Sequence, residues 1–269
     1  MNLITSSIFV AILTVFACGY ANPYIQSNPT PVARYLKNIS LTEPSSGLAG
    51  IDCIYVINLD KRPERWERTK RIFNNQGCTP NRISAVNGWE LTAWDLTQLY
   101  GPHPVSPKAG IAGCLLSHVS IYKDAYERGF ETIWICEDDI EFSSDIKKLS
   151  HLISELYQID KNWDLLYTDY STFGADYQVL RQGQSKYKCL NRRVFRSSDL
   201  VRMHGRFQTH SMIFSRNGIK KALDYFTHVY ILSAIDIDIH YVPGFREYST
   251  LKDIVTYIKD VPYSDTEHQ

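Results

Sequence analysis

The pattern of apolar and polar positions predicts alternating strands and helices from residue 51 onward. Residues 51–59 form a β-branched apolar run that is typical of a buried strand. The polar stretch that follows predicts a helix to about Asn75, with Pro63 at an early position where a missing N–H costs nothing. Residues 82–86 form a second short strand, so these elements predict a parallel βαβ unit with a right-handed crossover.

A longer helix and further strands are predicted downstream. Residues 110–128 carry apolar side chains at helical spacing, and residues 131–136 form the apolar run of a third strand. Residues 161–167 and 209–214 are also predicted strands, and residues 215–223 form a short helix. This order of elements predicts a single α/β domain, with a mostly parallel sheet flanked by helices.

The domain is expected to occupy residues 51–262, with a core that starts near Ile51. Residues 22–50 contain Pro23, Pro29, Pro31 and Pro44 and are predicted to be a proline-rich linker.

Residues 1–21 have the pattern of a signal peptide, with an apolar stretch and a small-x-small site that would be cleaved after Ala21. Three alternatives remain open, and the simplest is a hydrophobic terminus without a targeting role. Cys18 follows a stretch like a bacterial lipoprotein box, and no charged residue precedes Arg34, so the segment could stay in a membrane as an anchor. A cleaved signal, a lipidated Cys18 and a retained anchor all predict export or the secretory pathway, and the last two predict membrane association through the N-terminus.

Composition excludes one class of partner. The chain has 269 residues, and Lys plus Arg equals Asp plus Glu at 29 each, with a pI near 7.1. A nucleic-acid-binding protein would show a marked basic excess, so nucleic acid is not an expected partner of this chain. If Cys18 is removed, five cysteines remain, an odd number that does not predict a disulfide framework.

Three consecutive carboxylates, Glu137, Asp138 and Asp139, end the third predicted strand. Ligands of open α/β sheets lie beyond the carboxyl ends of the strands, and clustered oxygens suit Mg²⁺ or Mn²⁺. The alternative is an acidic turn that caps the next helix.

Ser117 and His118 are expected near the start of the preceding helix, where an anion is favoured. The alternative for His118 is a structural histidine that bonds a carbonyl.

Late in the chain, Asp236, Asp238 and His240 alternate with apolar residues. On a strand they share one face, and on a helix Asp236 and His240 are one turn apart. Each is a candidate catalytic base, and the alternative for Asp236 is an ion pair with a cation such as Arg246.

Residues 181–206 hold eight cations and one acid, Asp199, and could bind a diphosphate or form a solvated hairpin. The cations are Arg181, Lys186, Lys188, Arg192, Arg193, Arg196, Arg202 and Arg206.

Four of these stretches together resemble glycosyltransferase family 25, which contains bacterial lipopolysaccharide galactosyltransferases and procollagen galactosyltransferases. They are YVINLDKRPER at residues 55–65, AVNG at 85–88, GIAGCLLSH at 110–118 and the acidic cluster at 137–139. The resemblance implies a GT-A-like, Rossmann-type fold and transfer of galactose or glucose from a nucleotide sugar, often a UDP-hexose, with inversion. The acceptor would be a hydroxyl of a glycan, a lipopolysaccharide or a protein.

The resemblance also implies site residues. Asp138 and Asp139 would face a Mn²⁺ or Mg²⁺ ion or the diphosphate, and Asp236 falls where the family has a late acid. Asn87 stands where the family usually has Asp, so a neutral amide replaces a carboxylate. The implied donor-binding residues are Asn58, Asp60, Arg62, Asn87, Gly88, Ser117, His118, Glu137 and Asp138. The alternative functions are a metal-dependent phosphohydrolase and a catalytically silent, exported carbohydrate-binding homologue.

Overall fold

A mixed sheet of eight strands forms the middle layer of the described chain in the order β2-β1-β3-β10-β5-β11-β9-β8. The computed structural model describes residues 26–42, 44–101, 107–170, 177–178, 188–189, 194–203 and 206–258. The strands are β1 (Cys53–Asn58), β2 (Pro80–Ser84), β3 (Thr132–Glu137), β4 (Ile140–Phe142), β5 (Leu165–Tyr167), β6 (Tyr177–Gln178), β7 (Lys188–Cys189), β8 (Val194–Phe195), β9 (Leu200–Met203), β10 (Ser211–Ser215), β11 (Glu247–Thr250) and β12 (Val255–Tyr257).

The helices cover both faces of this sheet. They are α1 (Pro63–Asn75), α2 (Ala93–Tyr100), α3 (Ala109–Arg128), α4 (Lys148–Ile159), α5 (Arg216–Phe226) and α6 (Ile235–Asp238), with short 3-10 helices at Pro31–Tyr35, Gly88–Glu90 and Ile239–Tyr241. The two short pairs β4–β12 and β6–β7 lie outside the main sheet.

Most strands of the main sheet run the same way. β1 is parallel to β2 and to β3, and β11 is parallel to β5. β10 is antiparallel to both β3 and β5, and β9 is antiparallel to both β11 and β8. Six strands therefore share one direction, and β9 and β10 run against them. The predicted α/β fold with a mostly parallel sheet and flanking helices is confirmed.

The sheet is buried on both faces, which is why its strands are continuous apolar runs. Cys53 and Tyr55 of β1 point into a core built with α3 and α5, and Ile54 and Val56 point into a second core built with α1 and α4. All four side chains are fully buried. The predicted helices to Asn75 and to Arg128 end where expected, but β2 lies two residues earlier than predicted because Pro80 and Asn81 pair with β1.

The described part of the predicted linker packs on the domain. Val32 is 1% exposed and belongs to the core that includes α3 and α5. Thr30 donates its N–H to Thr227 O over 2.8 Å, and the N–H of Lys37 donates to Ser120 Oγ over 2.9 Å. This segment therefore differs from the predicted linker. Pro31 begins a 3-10 helix, and that helix buries Val32 against the domain.

Several predictions fall outside the described residues, among them the signal segment at 1–21 and the basic residues Arg181, Lys186, Arg192 and Arg193. Within the described residues, no helix has the length and apolar character needed to span a membrane. Cys53, Cys78, Cys114 and Cys136 are free thiols.

Candidate functional site

The carboxyl ends of β1, β2 and β3 meet at a cleft, at the edge of the sheet where α/β proteins bind ligands. We call it the first cleft. It is lined by Ile57, Leu59, Arg65, Ala85, Val86, Asn87, Gly88, Trp89, Gly110, Cys114, Ser117, His118, Glu137, Asp138 and Asp139. Three stretches that are far apart in the sequence, at 85–88, 110–118 and 137–139, therefore line one cavity.

Asp138 is a buried carboxylate whose two oxygens already have protein partners. Its Oδ2 accepts a hydrogen bond of 2.7 Å from Asn58 Nδ2, and its Oδ1 lies 3.3 Å from Arg65 Nη1. Asn58 Oδ1 in turn accepts from Arg82 Nε over 2.7 Å. Burial raises the pKa of Asp138, against the opposing effects of Asn58 and Arg65.

Helix α1 holds the backbone of this acidic turn. Arg68 Nη2 donates to the carbonyl oxygens of Asp138 and Ile140, each over 3.0 Å, and Thr69 Oγ1 donates to Asp138 O over 2.9 Å. Sequence reasoning missed Arg65, Arg68 and Thr69. Their spacing of three and four residues on one helix face was the available signal.

Asp139 differs from Asp138 because its Oδ1 is buried without a hydrogen-bond partner among the described residues. Burial, followed by the charges of Glu137 and Asp138, raises the pKa of Asp139 to about 7. A buried carboxylate oxygen without a donor is costly, and a cation can satisfy it. The structure therefore fits a cation at Asp139 better than at Asp138.

Asp60 and Arg62 lie beside the first cleft and do not line it. Asp60 is exposed, and its oxygens accept from Arg82 Nη2 over 2.6 Å and from Ser84 Oγ over 2.8 Å. These two hydrogen bonds, from Ser84 first and then Arg82, lower the pKa of Asp60. The carbonyl of Arg62 accepts from Asn58 Nδ2 over 2.9 Å, so its backbone helps to orient Asn58.

The loop after β2 is held tightly against α3. A Cβ on Gly113 would lie 2.5 Å from Gly88 N, and one on Gly88 would lie 1.8 Å from Ala109 O, so both positions require glycine. Ser117 Oγ accepts from Val86 N over 2.8 Å. Asn87 caps the following 3-10 helix, since its side chain accepts from the backbone N–H of Trp89.

Ser117 and His118 lie in the middle of α3, so their predicted position near the helix start is wrong. The helix begins at Ala109, and Gly113 together with Gly88 lets its first turns pack against the loop at 86–88. The backbone N–H groups at the true start cannot reach an anion beside Ser117. It is Gly110 that brings the first turn of α3 to the first cleft.

His118 and Glu137 face each other across this cleft. His118 is fully buried, and its Nε2 lies 3.8 Å from Glu137 Oε1. That same oxygen accepts from Thr209 Oγ1 over 2.7 Å. Burial opposes the charge of Glu137, but His118, Thr209 and His210 together hold its pKa below the usual value.

A second cleft adjoins the first and shares Cys114, Glu137 and Asp139 with it. It is lined by Ile111, Cys114, Glu137, Asp139, Gln208, Thr209, His210, Ala234, Ile235, Asp236 and Tyr257. Asp139 and Asp236 therefore line the same cleft.

Asp236 is on the short helix α6, so the strand interpretation of residues 236–240 is wrong and the helical alternative holds. Its Oδ2 accepts from Gln208 N over 2.8 Å, and its Oδ1 is buried without a hydrogen-bond partner in the described chain. Burial raises the pKa of Asp236. Arg246, the suggested partner, pairs with Asp160 at 2.6 Å instead.

Asp238 and His240 support the structure around α6. Asp238 Oδ2 accepts from the N–H groups of Leu232 and Ser233, over 2.9 and 3.2 Å, and so fixes the chain that enters the helix. His240 Nδ1 lies 2.8 Å from Glu247 Oε2. Neither residue lines the second cleft, so of the three candidate bases Asp236 alone does.

His210 was missed by sequence reasoning and lines the second cleft. It is 4% exposed, and its Nε2 lies 3.5 Å from Asp169 Oδ1. Arg206 holds that carboxylate with bonds of 3.0 and 3.1 Å. Burial opposes ionisation of Asp169, but His210 and Arg206 lower its pKa. No local pattern could have revealed this cluster, because its members meet only in the folded chain.

Arg206 therefore has a structural partner and is not part of a solvated basic hairpin. It is 1% exposed, and its guanidinium also lies 4.4 Å from the centre of the Tyr167 ring. Arg196 and Arg202 are on or beside β9, away from both clefts.

One protein family matches more than half of the chain. The family model described as glycosyltransferase family 25 (LPS biosynthesis protein) matches residues 51–239. Procollagen galactosyltransferase 2 of Mus musculus is 33% identical over 128 residues, which cover 44% of this chain and 20% of that protein. Procollagen galactosyltransferase 1 of Danio rerio is 30% identical over 155 residues, covering 53% of this chain and 25% of that protein.

A third relative carries a different description. The inactive glycosyltransferase 25 family member 3 of Homo sapiens is 31% identical over 147 residues, which cover 50% of this chain and 24% of that protein. The chain thus matches about a quarter or less of the length of these relatives.

Proposed function

The chain belongs to glycosyltransferase family 25, and from that premise we propose that it transfers a hexose, galactose or glucose, from a UDP-sugar to an acceptor hydroxyl with inversion. The acceptor class is a glycan, a lipopolysaccharide or a protein. One observation carries this proposal. Asp139 and Asp236 each have a buried oxygen without a hydrogen-bond partner among the described residues, and both line the second cleft, which adjoins the first cleft built from the family's motifs.

We assign the nucleotide to the first cleft. Gly88 and Gly110 line it with bare backbone, and the missing side chains allow a nucleotide to approach closely. Trp89 adds an aromatic surface. Asn87 contributes an amide, which can donate and accept hydrogen bonds, whereas the carboxylate usual in the family only accepts.

Mn²⁺ or Mg²⁺ is the cofactor that we propose, with Asp139 as a ligand. Such a cation, when bound, stabilises the negative charge that develops on the departing diphosphate. Asp139 offers an oxygen that no described protein donor occupies, whereas both oxygens of Asp138 are already engaged by Asn58 and Arg65. We therefore expect Asp138 to shape the turn and Asp139 to bind the ion.

Asp139→Asn separates these roles. The variant should lose most of the tightening of UDP binding that Mn²⁺ produces, measured by calorimetry with the cation and with a chelator. Asp138→Asn is the matched control and should mainly lower the melting temperature, because it removes the charged partner of Arg65. Equal UDP affinity of the wild type in chelator and in Mn²⁺ would remove the cation from the proposal.

Asp236 is the base that we propose for the reaction. Inversion needs one group that takes the proton of the acceptor hydroxyl while that oxygen displaces the diphosphate from the anomeric carbon. Asp236 lines the second cleft and has a buried oxygen free of described donors. The position of its carboxylate is held by the hydrogen bond from Gln208 N.

A panel of UDP-sugars, assayed with and without glycan and peptide acceptors, tests the function. Glycosylated product that forms only when acceptor is present supports a transferase. Release of UMP and sugar 1-phosphate at the same rate with and without acceptor would favour the phosphohydrolase, because that enzyme breaks a phosphate bond and not the bond at the anomeric carbon. Sugar binding without turnover would favour a silent homologue, the alternative that the relative described as inactive supports.

We further propose that the protein enters the secretory pathway or is exported, through residues 1–21. Expression in a secreting host followed by mass measurement of the intact chain distinguishes the outcomes. Cleavage after Ala21, lipidation at Cys18 and retention of the whole segment each give a different mass.

A further inference from the structure

Three side chains with metal-binding atoms meet where the two clefts join. The sulfur of Cys114, a ring nitrogen of His118 and a carboxylate oxygen of Glu137 all lie within 4.8 Å of one another. Cys114 and His118 are one turn apart on α3 and so face the same way, and Glu137 ends β3 opposite them.

Among the described residues, His118 has no hydrogen-bond partner of the kind that fixes a structural histidine. The residue is fully buried, and neither ring nitrogen makes a hydrogen bond to the described chain. The 3.8 Å between its Nε2 and Glu137 Oε1 exceeds hydrogen-bond length. A buried polar group left in this state costs about 1–3 kcal/mol, which a ligand between the three side chains can recover.

We propose that Cys114, His118 and Glu137 form a binding site for Zn²⁺. Thiolate and imidazole are ligands that Zn²⁺ prefers, whereas Mg²⁺ and Ca²⁺ select all-oxygen sets. Three protein ligands leave a fourth position for water or a substrate group, as in catalytic zinc sites. Cys114 and Glu137 line both clefts, so that fourth position faces the space between them.

This site differs from the hard-cation site in its donors. Asp139 is not one of its ligands, and Glu137 is the residue that the two could share. The proposal does not depend on glycosyl transfer, because metal binding is measured without donor or acceptor. When Zn²⁺ binds, the Cys114 thiol loses its proton to solvent and the sulfur coordinates as thiolate.

Cobalt is the spectroscopic probe for this test, since Co²⁺ takes the same ligands and gives a thiolate-to-metal charge-transfer band. The full chain, stripped with a chelator and reduced, is titrated with Co²⁺ and then with Zn²⁺. We expect one equivalent of Co²⁺ to produce the band and Zn²⁺ to abolish it, while equimolar Mg²⁺ leaves it unchanged.

Cys114→Ser is the decisive variant, because it removes the sulfur from a cleft-lining position with little change in size. It should lose the band and bind Zn²⁺ more than about 100-fold more weakly, since changing even an outer partner of a metal ligand costs about 10–100-fold. Cys136→Ser, at a buried thiol of β3 outside the set, is the matched control and should keep both. Melting curves establish that both variants are folded.

Two results would overturn the proposal. One is a wild-type protein that gives no charge-transfer band and no Zn²⁺ uptake. The other is a Cys114→Ser protein whose band and affinity equal those of the wild type. In either case His118 and Glu137 would have to find their partner in a bound donor, a result that leaves the proposed transferase activity untouched.

Discussion

At the scale of the residue, the two oxygens of Asp236 have different surroundings. Oδ2 accepts from Gln208 N, while Oδ1 is buried and has no donor in the described chain. Asp236→Asn keeps the shape and removes the proton acceptor, so we expect transfer to fall about 10²–10⁴-fold while UDP binding stays nearly unchanged. Steady-state kinetics and calorimetry measure the two quantities.

Asp238→Asn is the control for that change. It weakens an acceptor of the Leu232 and Ser233 N–H groups, so it should lower the melting temperature and keep the rate per folded molecule. Wild-type turnover by a folded Asp236→Asn protein would move the search for the base to His210.

The pH profile offers a separate test of Asp236. Burial raises its pKa above the ordinary aspartate value of about 3.9, and a base works only when it is deprotonated. The value of kcat/KM should therefore fall on acidification at a higher pH than an ordinary aspartate would give, and rise to a plateau above it. Persistence of the same acidic limb in Asp236→Asn would assign that titration to another group.

His240 gives a stability prediction with a defined sign. Burial opposes its charge, but the Glu247 carboxylate, the Arg206 backbone and the charge of Asp236 together outweigh burial and raise the pKa of His240. The resulting stabilisation is complete below the unfolded value of about 6.5 and is lost as pH rises through the folded pKa. Denaturant unfolding should therefore show that His240→Gln costs most in free energy at about pH 6 and least at alkaline pH.

His151→Gln is the control for His240, because His151 is exposed on α4. Its free energy of unfolding should follow that of the wild type at every pH. A difference between wild type and His240→Gln that stays constant with pH would show that the pair with Glu247 does not titrate in this range.

At the scale of the element, the sequence pattern predicted the helices and strands whose ends are set by local interactions. Helices α1 and α3 and strands β1 and β3 follow from apolar spacing, capping and burial, so their ends lie near the predicted ones. The strand predicted for residues 236–240 is not formed. Their alternation fits a strand, but the chain is helical there because Asp238 accepts from the backbone N–H groups that precede the turn.

The acidic cluster at 137–139 could also be predicted only in part from the sequence. Its place at the end of β3 could be predicted from the sequence, but the different environments of Asp138 and Asp139 could not. They depend on Asn58 and Arg65, which reach Asp138 only after β1, α1 and β3 have assembled. Likewise, the place of Ser117 depends on where α3 begins against the loop after β2.

The contact between that loop and α3 can be tested at Gly113. A Cβ there would lie 2.6 Å from Val86 O and 2.5 Å from Gly88 N, both backbone atoms that cannot move aside cheaply. Gly113→Ala should lower the free energy of unfolding by about 1–3 kcal/mol and weaken UDP binding, because the loop shifts. Unfolding in urea and UDP calorimetry measure both effects.

Gly129→Asn is the matched control, since Gly129 ends the same helix in a left-handed conformation that asparagine tolerates, with open space around it. It should keep UDP affinity. If Gly113→Ala bound UDP with wild-type affinity, the loop after β2 would not contribute to the donor site.

At the scale of the whole molecule, the reversed strand β10 explains why a second cleft exists. β10 runs against β3, so it starts at the edge where β3 ends, and the residues just before it, Thr209 and His210, lie beside Glu137. A fully parallel sheet would have placed the start of that strand at the opposite edge. The reversal therefore brings the segment at 206–210 to the acidic cluster.

The N-terminal segment is the other whole-molecule feature, because residues 26–50 contact elements from distant parts of the chain. Thr30 bonds to Thr227 and Val229, and Lys37 reaches Ser120. A protein that begins at residue 50 loses these contacts and exposes the site of Val32. The burial of one valine is worth about 1.5–3 kcal/mol, and each kcal/mol is about 2–4 °C in Tm for a domain of this size.

We therefore expect the protein truncated at residue 50 to melt at least several degrees below one that begins at residue 26. Within the longer protein, Val32→Ala should reproduce part of the loss, since it removes buried methyl groups and leaves a cavity. Ser40→Ala, at an exposed position in the same segment, should leave Tm unchanged. Equal Tm values for the two truncated proteins would show that residues 26–50 do not stabilise the domain. The segment would then be a linker, and burial of Val32 would contribute nothing to the core.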